Sequence, residues 1–250
     1  MVSPKRAWII ALAATLAVVA CAPATAPVGS TAPQPGEAAR KRVIAVVLGD
    51  VYTVSSFLAD GTAGQNNPGI AEVEKLLNEG LTVLNGPTRV ARLAEQVPAT
   101  ENGLWKVFPD GTMEITWKIR PNATWHDGTP VTAEDFVFSS QLATDNDLAV
   151  AHNPIYRYVE SITAPNAETL VAKWRSPYIE ADQLFGGGNS LPLPRHLLEG
   201  PYRASRDSFL LLPFWNAGYV GTGAFRLRTF EPSSHLVVEV NDQYVSVGRS

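Results

Sequence analysis

His126 and Asp127 stand side by side, and an imidazole next to a carboxylate is the pairing most often used for general acid–base work or metal binding. The four histidines, at 126, 152, 196 and 235, are too dispersed for a compact ligand set and show no HExxH spacing, so no metal or cofactor is expected. Asp127-Gly128 is read more economically as a turn, its carboxylate taking backbone hydrogen bonds while glycine adopts a difficult backbone angle. Ser139-Ser140 and Ser233-Ser234 lie outside any GxSxG elbow, which leaves no catalytic residue to nominate.

Gly186-Gly187-Gly188 followed by Asn189 could cradle an anion, but without a P-loop lysine it reads as a cleft loop. Trp215-Asn216, with Tyr219 nearby, combines flat apolar surface with an amide, which suits a polar organic solute. Tyr52, Asn189, Trp215 and Asn216 are the ligand-contact candidates. The competing role for Trp215, Asn216 and Tyr219 is packing beneath the Gly221-Thr222-Gly223 turn.

Composition narrows the function classes. The 250 residues are 45% hydrophobic and 18% charged, a globular balance, and the net charge of -4 disfavours nucleic acid and anionic lipid as partners. Residues 1–20 carry Lys5 and Arg6 and then an apolar run, the pattern of an export signal, too short for a comfortable membrane span. Val18-Val19-Ala20-Cys21 resembles the bacterial lipobox, which would make Cys21, the single cysteine, a lipid attachment point. Residues 21–41, rich in Ala, Pro, Gly, Ser and Thr, read as a flexible tether.

From residue 42 onward the chain patterns as α/β. Val43 to Leu48 predicts a buried first strand, and the Gly49 to Gly69 loop, carrying Tyr52 and Phe57, leaves its end. Ile70, Val73, Leu76 and Leu77 predict an amphipathic helix, with a short strand at Leu81 to Leu84. Pro109-Asp110-Gly111 turns the chain into a period-two strand from Met113 to Arg120. Thr132 and Asp135 have capping-box spacing, so a helix starts at Thr132, with Val131 stapled onto Phe136. A hairpin is expected from Val159 to Trp174 about Ala164-Pro165-Asn166, a short helix near His196 to Leu198, and a hairpin from Gly223 to Val240.

Five strings stand in one order: LLNEGL at 76–81, RLAEQV at 92–97, WKIRPNATWHDGTPVTAEDFVFS at 117–139, PLPRHLLE at 192–199 and GYVGTGAFRLRTFEP at 218–232. Together they resemble the extracytoplasmic solute-binding proteins of ABC importers, in the oligopeptide, dipeptide and nickel group (solute-binding family 5). Ala224 departs from the proline usual after Gly-Thr-Gly, and Val245 from the aromatic usual after Asn-x-x-Tyr.

The resemblance implies a type II periplasmic-binding-protein-like fold, a mixed-sheet lobe with an inserted subdomain. It also implies a chain about twice this length, so residues 42–250 are expected to be an incomplete N-terminal part, with the second lobe missing. The implied function is capture of a peptide or similar small polar solute and delivery to ABC permease subunits, by a monomer held by its lipid outside the cytoplasmic membrane. No catalysis is implied. The rival classes are an exported cell-surface hydrolase, which predicts turnover dependent on His126 or Asp127, and a lipoprotein that senses rather than transports.

Overall fold

The computed structural model describes residues 43–58, 68–150, 152–187 and 190–245. The chain divides into units at 1–44 and 45–250, and only Val43 and Ile44 of the first are described. The expected signal, tether and Cys21 lie outside the described residues, as do Gly188 and Asn189.

The second unit runs α1 (Pro68–Leu77), β1 (Thr82–Asn85), β2 (Thr88–Ala91), β3 (Trp105–Val107), β4 (Met113–Lys118), α2 (Ala133–Thr144), β5 (Val159–Asn166) and β6 (Thr169–Trp174). It continues with α3 (Arg195–Ala204), α4 (Arg206–Phe209), β7 (Phe225–Glu231) and β8 (His235–Val240). Strands β3, β4, β6 and β5 form a four-stranded antiparallel sheet in that order; β1-β2 and β7-β8 are separate antiparallel pairs.

Strand β4 shows how sequence becomes packing. Met113, Ile115 and Trp117 are buried while Glu114, Thr116 and Lys118 are half-buried, the alternation that its period-two pattern demands. The preceding turn closes as its residues dictate, with Gly111 at φ 83° and the Asp110 carboxylate accepting from Thr112 N–H at 2.9 Å.

Two apolar cores result. One gathers Trp117, Trp125, Phe136, Trp174 and Phe185 against the four-stranded sheet; the other gathers Val54, Phe57, Ile70, Leu77, Phe209 and Trp215. Helix α2 serves both, with Phe136 in the first and Phe138 and Leu142 in the second. A helix wedged between two cores is apolar on more than one face, and eight of its residues are buried. Val131 and Phe136, the expected staple pair, are both buried in the first core.

Several expectations need correction. Val43 to Leu48 is not a buried strand: Val43, Ile44, Val46 and Leu48 are 77% or more exposed. Its composition suits a strand, but a strand also needs a hydrogen-bonded neighbour, and no described strand pairs with it. The 159–174 hairpin turns at Ala167-Glu168, where Asn166 Oδ1 accepts from Glu168 N–H at 3.1 Å, and Pro165 stays inside β5. β5 is an edge strand, where a residue without an N–H is tolerated. Helix α3 spans ten residues and contains Pro201, so the prolines bracket less tightly than expected. Ser205 N–H still closes on Pro201 O at 3.1 Å, ending the helix one turn later.

Candidate functional site

The Gly221-Thr222-Gly223 turn joins the strings at 76–81, 117–139, 192–199 and 218–232. A Cβ on Gly221 would stand 2.0 Å from Leu77 O, and one on Gly223 would stand 2.6 Å from Leu76 O, so only glycine lets this turn lie on the end of α1. Gly223 N–H donates to Leu77 O at 3.0 Å, and Thr222 uses its N–H and hydroxyl on Asn78 Oδ1 at 3.2 and 2.9 Å. Asn78 in turn donates to Pro192 O at 3.0 Å. LLNEGL, PLPRHLLE and GYVGTG are thus held together by one buried asparagine.

His126 completes the junction. Gly221 N–H donates to Nδ1 at 3.2 Å, so the ring proton belongs on Nε2, which faces Gly223 O at 3.1 Å. Its backbone N–H also donates to Gly221 O at 2.8 Å. Burial disfavours the imidazolium and lowers the pKa, with the Gly223 carbonyl opposing. A neutral ring with both nitrogens committed to backbone is a structural clamp.

Asp127 faces the other way. Its Oδ1 accepts from Thr129 N–H at 3.0 Å across a turn whose Gly128 has φ 87°, as expected from Asp-Gly. Its Oδ2 lies 2.7 Å from His196 Nε2 on α3, a partner that sequence distance concealed. Partial burial works against the carboxylate, but the bonds from His196 and Thr129 outweigh it and hold Asp127 below its usual range. The adjacent pair therefore does not act as one unit.

Tyr52, Trp215 and Asn216 do come together. Thr53 Oγ1 and Val54 N–H donate to Trp215 O at 2.7 and 3.2 Å, and Asn216, with its amide nitrogen turned inward, donates to Tyr52 O at 3.0 Å. Trp215 itself is fully buried, stacked on Phe57 at 5.4 Å and edge-on to Phe209 and Phe214, with its indole N–H on Phe209 O at 2.7 Å. Its face is spent on the core, whereas Tyr52 is 38% exposed and Asn216 half-buried.

Sequence reasoning missed Glu74. This carboxyl is buried and takes Ser55 Oγ at 3.2 Å, Ser56 N–H at 3.1 Å and Tyr219 O–H at 3.4 Å, tying the 53–57 segment to α1. Burial pushes its pKa up to about 7, the bonds from Ser56, Ser55 and Tyr219 offsetting only part of that cost. Its place in EVEKLL beside Val73 and Leu77 was the available signal: an acid on the apolar stripe. Asp135 was read only as a helix cap, yet its carboxylate also accepts from Trp125 Nε1 at 3.3 Å and Arg195 N–H at 2.9 Å, joining α2 to α3. It accepts from Thr132 N–H at 2.8 Å, the contact the cap spacing implies, and from the Thr132 hydroxyl at 3.2 Å.

With these arrangements established, comparison with known proteins decides the family. The profile described as "Bacterial extracellular solute-binding proteins, family 5 Middle" matches residues 95–250, more than half of the chain. The chain belongs to family 5 of the bacterial extracellular solute-binding proteins. Among curated relatives of this solute-binding family, the periplasmic oligopeptide-binding protein OppA of Salmonella typhimurium is 31% identical over 142 residues, covering 52% of this chain and 25% of OppA. The periplasmic murein peptide-binding protein MppA of Escherichia coli is 36% identical over 196 residues, covering 70% of this chain and 33% of MppA.

The oligopeptide-binding protein of Thermus thermophilus, solved with a pentapeptide, superposes with a TM-score of 0.63 at 20% identity, over 80% of this chain and 38% of that one. Bacillus subtilis AppA, solved with a nonapeptide, gives 0.62 at 19% identity, over 78% and 35%. These likenesses bear out the type II periplasmic-binding-protein-like α/β class. The chain spans a quarter to a third of the length of these curated relatives. Among the described residues no helix is long and apolar enough to cross a membrane.

Proposed function

We propose that this chain is the front part of a substrate-binding lipoprotein of an ABC importer, which captures peptides and passes them to permease subunits. The observation that carries the reading is the family match over residues 95–250, whose relatives are named for peptide binding. The local chemistry agrees with binding rather than turnover, because His126 is clamped neutral between backbone groups and Asp127 is spent on His196. Capture would proceed by closure of lobes around the solute, with no covalent step in the receptor.

The reading includes a signal over residues 1–20, lipid on Cys21, a tether over 21–41 and a solute-binding part from 42, acting as a monomer outside the cytoplasmic membrane. Tyr52 and Asn216 are the proposed ligand contacts, with Trp215 holding them from beneath; Asn189 is retained as a proposed contact from the glycine loop.

The test is thermal denaturation of protein extracted from the producing bacterium's membrane fraction, titrated with mixed tripeptides and pentapeptides. Binding to the native state alone predicts a saturable rise in Tm, with every peptide recovered intact. Cleaved peptides, with cleavage lost in His126→Ala or Asp127→Asn, would establish the hydrolase instead. The intact mass of the same extract checks the anchor: a diacylglyceryl mass on Cys21 is expected, and an unmodified Cys21 refutes it.

A further inference from the structure

Glu74 sits where the two stretches that carry Tyr52 and Asn216 meet. Segment 52–57 is fastened to the 213–219 turn by hydrogen bonds at Trp215 O and Tyr52 O and by the stack of Phe57 on Trp215. Neither tie titrates. Glu74, on α1 and 3% exposed, supplies a third that does: Oε1 accepts from Ser55 Oγ at 3.2 Å and from Tyr219 O–H at 3.4 Å, and Oε2 accepts from Ser56 N–H at 3.1 Å. Ser55 is itself a node of the segment, its Oγ accepting from Phe57 N–H at 3.3 Å and its C=O from Leu58 N–H at 3.3 Å. One carboxyl therefore holds both sides of the junction at once.

Both protonation states can be satisfied in place. Ser56 N–H only donates, but the Ser55 and Tyr219 hydroxyls can turn to accept, so a carboxylic acid keeps partners here. The difference lies in what burial costs. A carboxylate out of water is penalised far more than a neutral acid, and burial accordingly raises Glu74 to about 7 against the bonds from Ser56, Ser55 and Tyr219. Among the described residues, the charged and titratable groups on the elements around it are Glu72 and Lys75 on α1, paired with each other at 3.0 Å, Arg226 and Arg228 on β7, which packs on α1, Tyr52 on the segment and Tyr219 on the turn. Of these, Tyr219 is the one bonded to the carboxyl, and burial together with the neighbouring Glu74 raises its own pKa well above the ordinary range, so it stays neutral. When the segment lifts, Glu74 meets water, where its charged form is favoured.

We propose that Glu74 is a positioning residue of the solute site, a proton-held latch that in its neutral form keeps Tyr52 beside Asn216, and that lifting of segment 52–57 releases its proton to water. The role rests on the reading of Tyr52 and Asn216 as solute contacts, and the buried Glu74 acts through them.

Amide hydrogen exchange of the membrane-extracted protein, read by mass spectrometry at pH 5, 6, 7 and 8 and divided by the chemical exchange rate at each pH, measures opening of the segment directly. Amides of residues 54–58 should be at least about tenfold less protected than those of β4, the mark of local opening rather than global unfolding. Their opening should rise about fortyfold from pH 5 to pH 7 and only about twofold from pH 7 to pH 8, since Glu74 titrates at 4.5 in the open segment and at about 7 in the closed one. Glu74→Gln should flatten that rise. Equal protection of 54–58 and β4, a parent profile without the rise, or a rise that survives in Glu74→Gln would each overturn the latch, and the first two need no variant. The positioning role is read by repeating the exchange at pH 7 with mixed tripeptides and pentapeptides in excess, which should protect 54–58. Peptides that bind but protect other segments only would overturn the positioning role and leave the importer reading standing. No binding by any of them would remove the reading beneath it and the role with it.

Discussion

Replacing Glu74 with glutamine should remove a pH dependence that the buried carboxyl builds into folding. In the unfolded chain this acid titrates at its ordinary 4.5, whereas in the fold burial raises it to about 7. Between those values the folded state keeps a proton that the unfolded state has lost, so stability falls as pH rises through the window and levels off above it. A displacement of that size corresponds to about 3 kcal/mol, a sizeable share of a domain's net stability. The replacement amide is nearly isosteric and can still accept from Ser56 N–H, but it cannot ionise. Urea denaturation followed by tryptophan fluorescence, on both proteins at pH 4.5, 6 and 8, isolates the effect as a difference. Asp135, Asp182 and Glu79, whose pKa values burial also raises, are common to both and cancel. Glu74→Gln should gain on the parent by about 3 kcal/mol from pH 4.5 to pH 8. Profiles that stay parallel within about 0.5 kcal/mol would refute the buried setting assigned to Glu74.

The clamp at His126 carries the opposite sign. Its folded pKa lies below the ordinary 6.5, so stability should fall as pH drops beneath 6.5, where the unfolded ring takes a proton first. His126→Gln should abolish that acid limb and, by leaving Gly221 N–H without its acceptor, cost about 1–3 kcal/mol at pH 8, measured by the same denaturation. Gly221→Ala drives a methyl to 2.0 Å from Leu77 O, and soluble expression should fail or Tm drop sharply, whereas Gly200→Ala, with nothing near its Cβ, should leave Tm within a few degrees. Asp135→Asn keeps one acceptor oxygen where the carboxylate serves Thr132, Trp125 and Arg195, so a loss of about 2 kcal/mol is expected, read by urea midpoint at pH 7.

Much of the local architecture was legible because it depends on neighbours in the chain. Strand β4 follows from its alternation, the start of α2 from Thr132 and Asp135, the 109–111 turn from Asp-Gly, and the hairpin β7-β8 from two β-rich runs flanking Glu231-Pro232-Ser233-Ser234. The strings that resemble the family were also legible, since they keep residues that local rules cannot replace. The glycines of Gly221-Thr222-Gly223 are the clearest example, although their reason, the close approach of α1, lies 144 residues away for Thr222 and Asn78.

Only the tertiary structure decided which groups met. Asp127 found His196 rather than its neighbour His126, because successive residues at a turn point in different directions while α3 packs against it. Glu74 became a buried acid because Tyr219 and the 55–56 segment closed over it. Val43 to Leu48 reads as a buried strand by composition alone, yet burial is a property of partners, and none of the described strands supplies one. Periodicity and turn chemistry act over a few residues and are written in the sequence; contacts across a hundred residues depend on how the two cores pack, which no local pattern encodes.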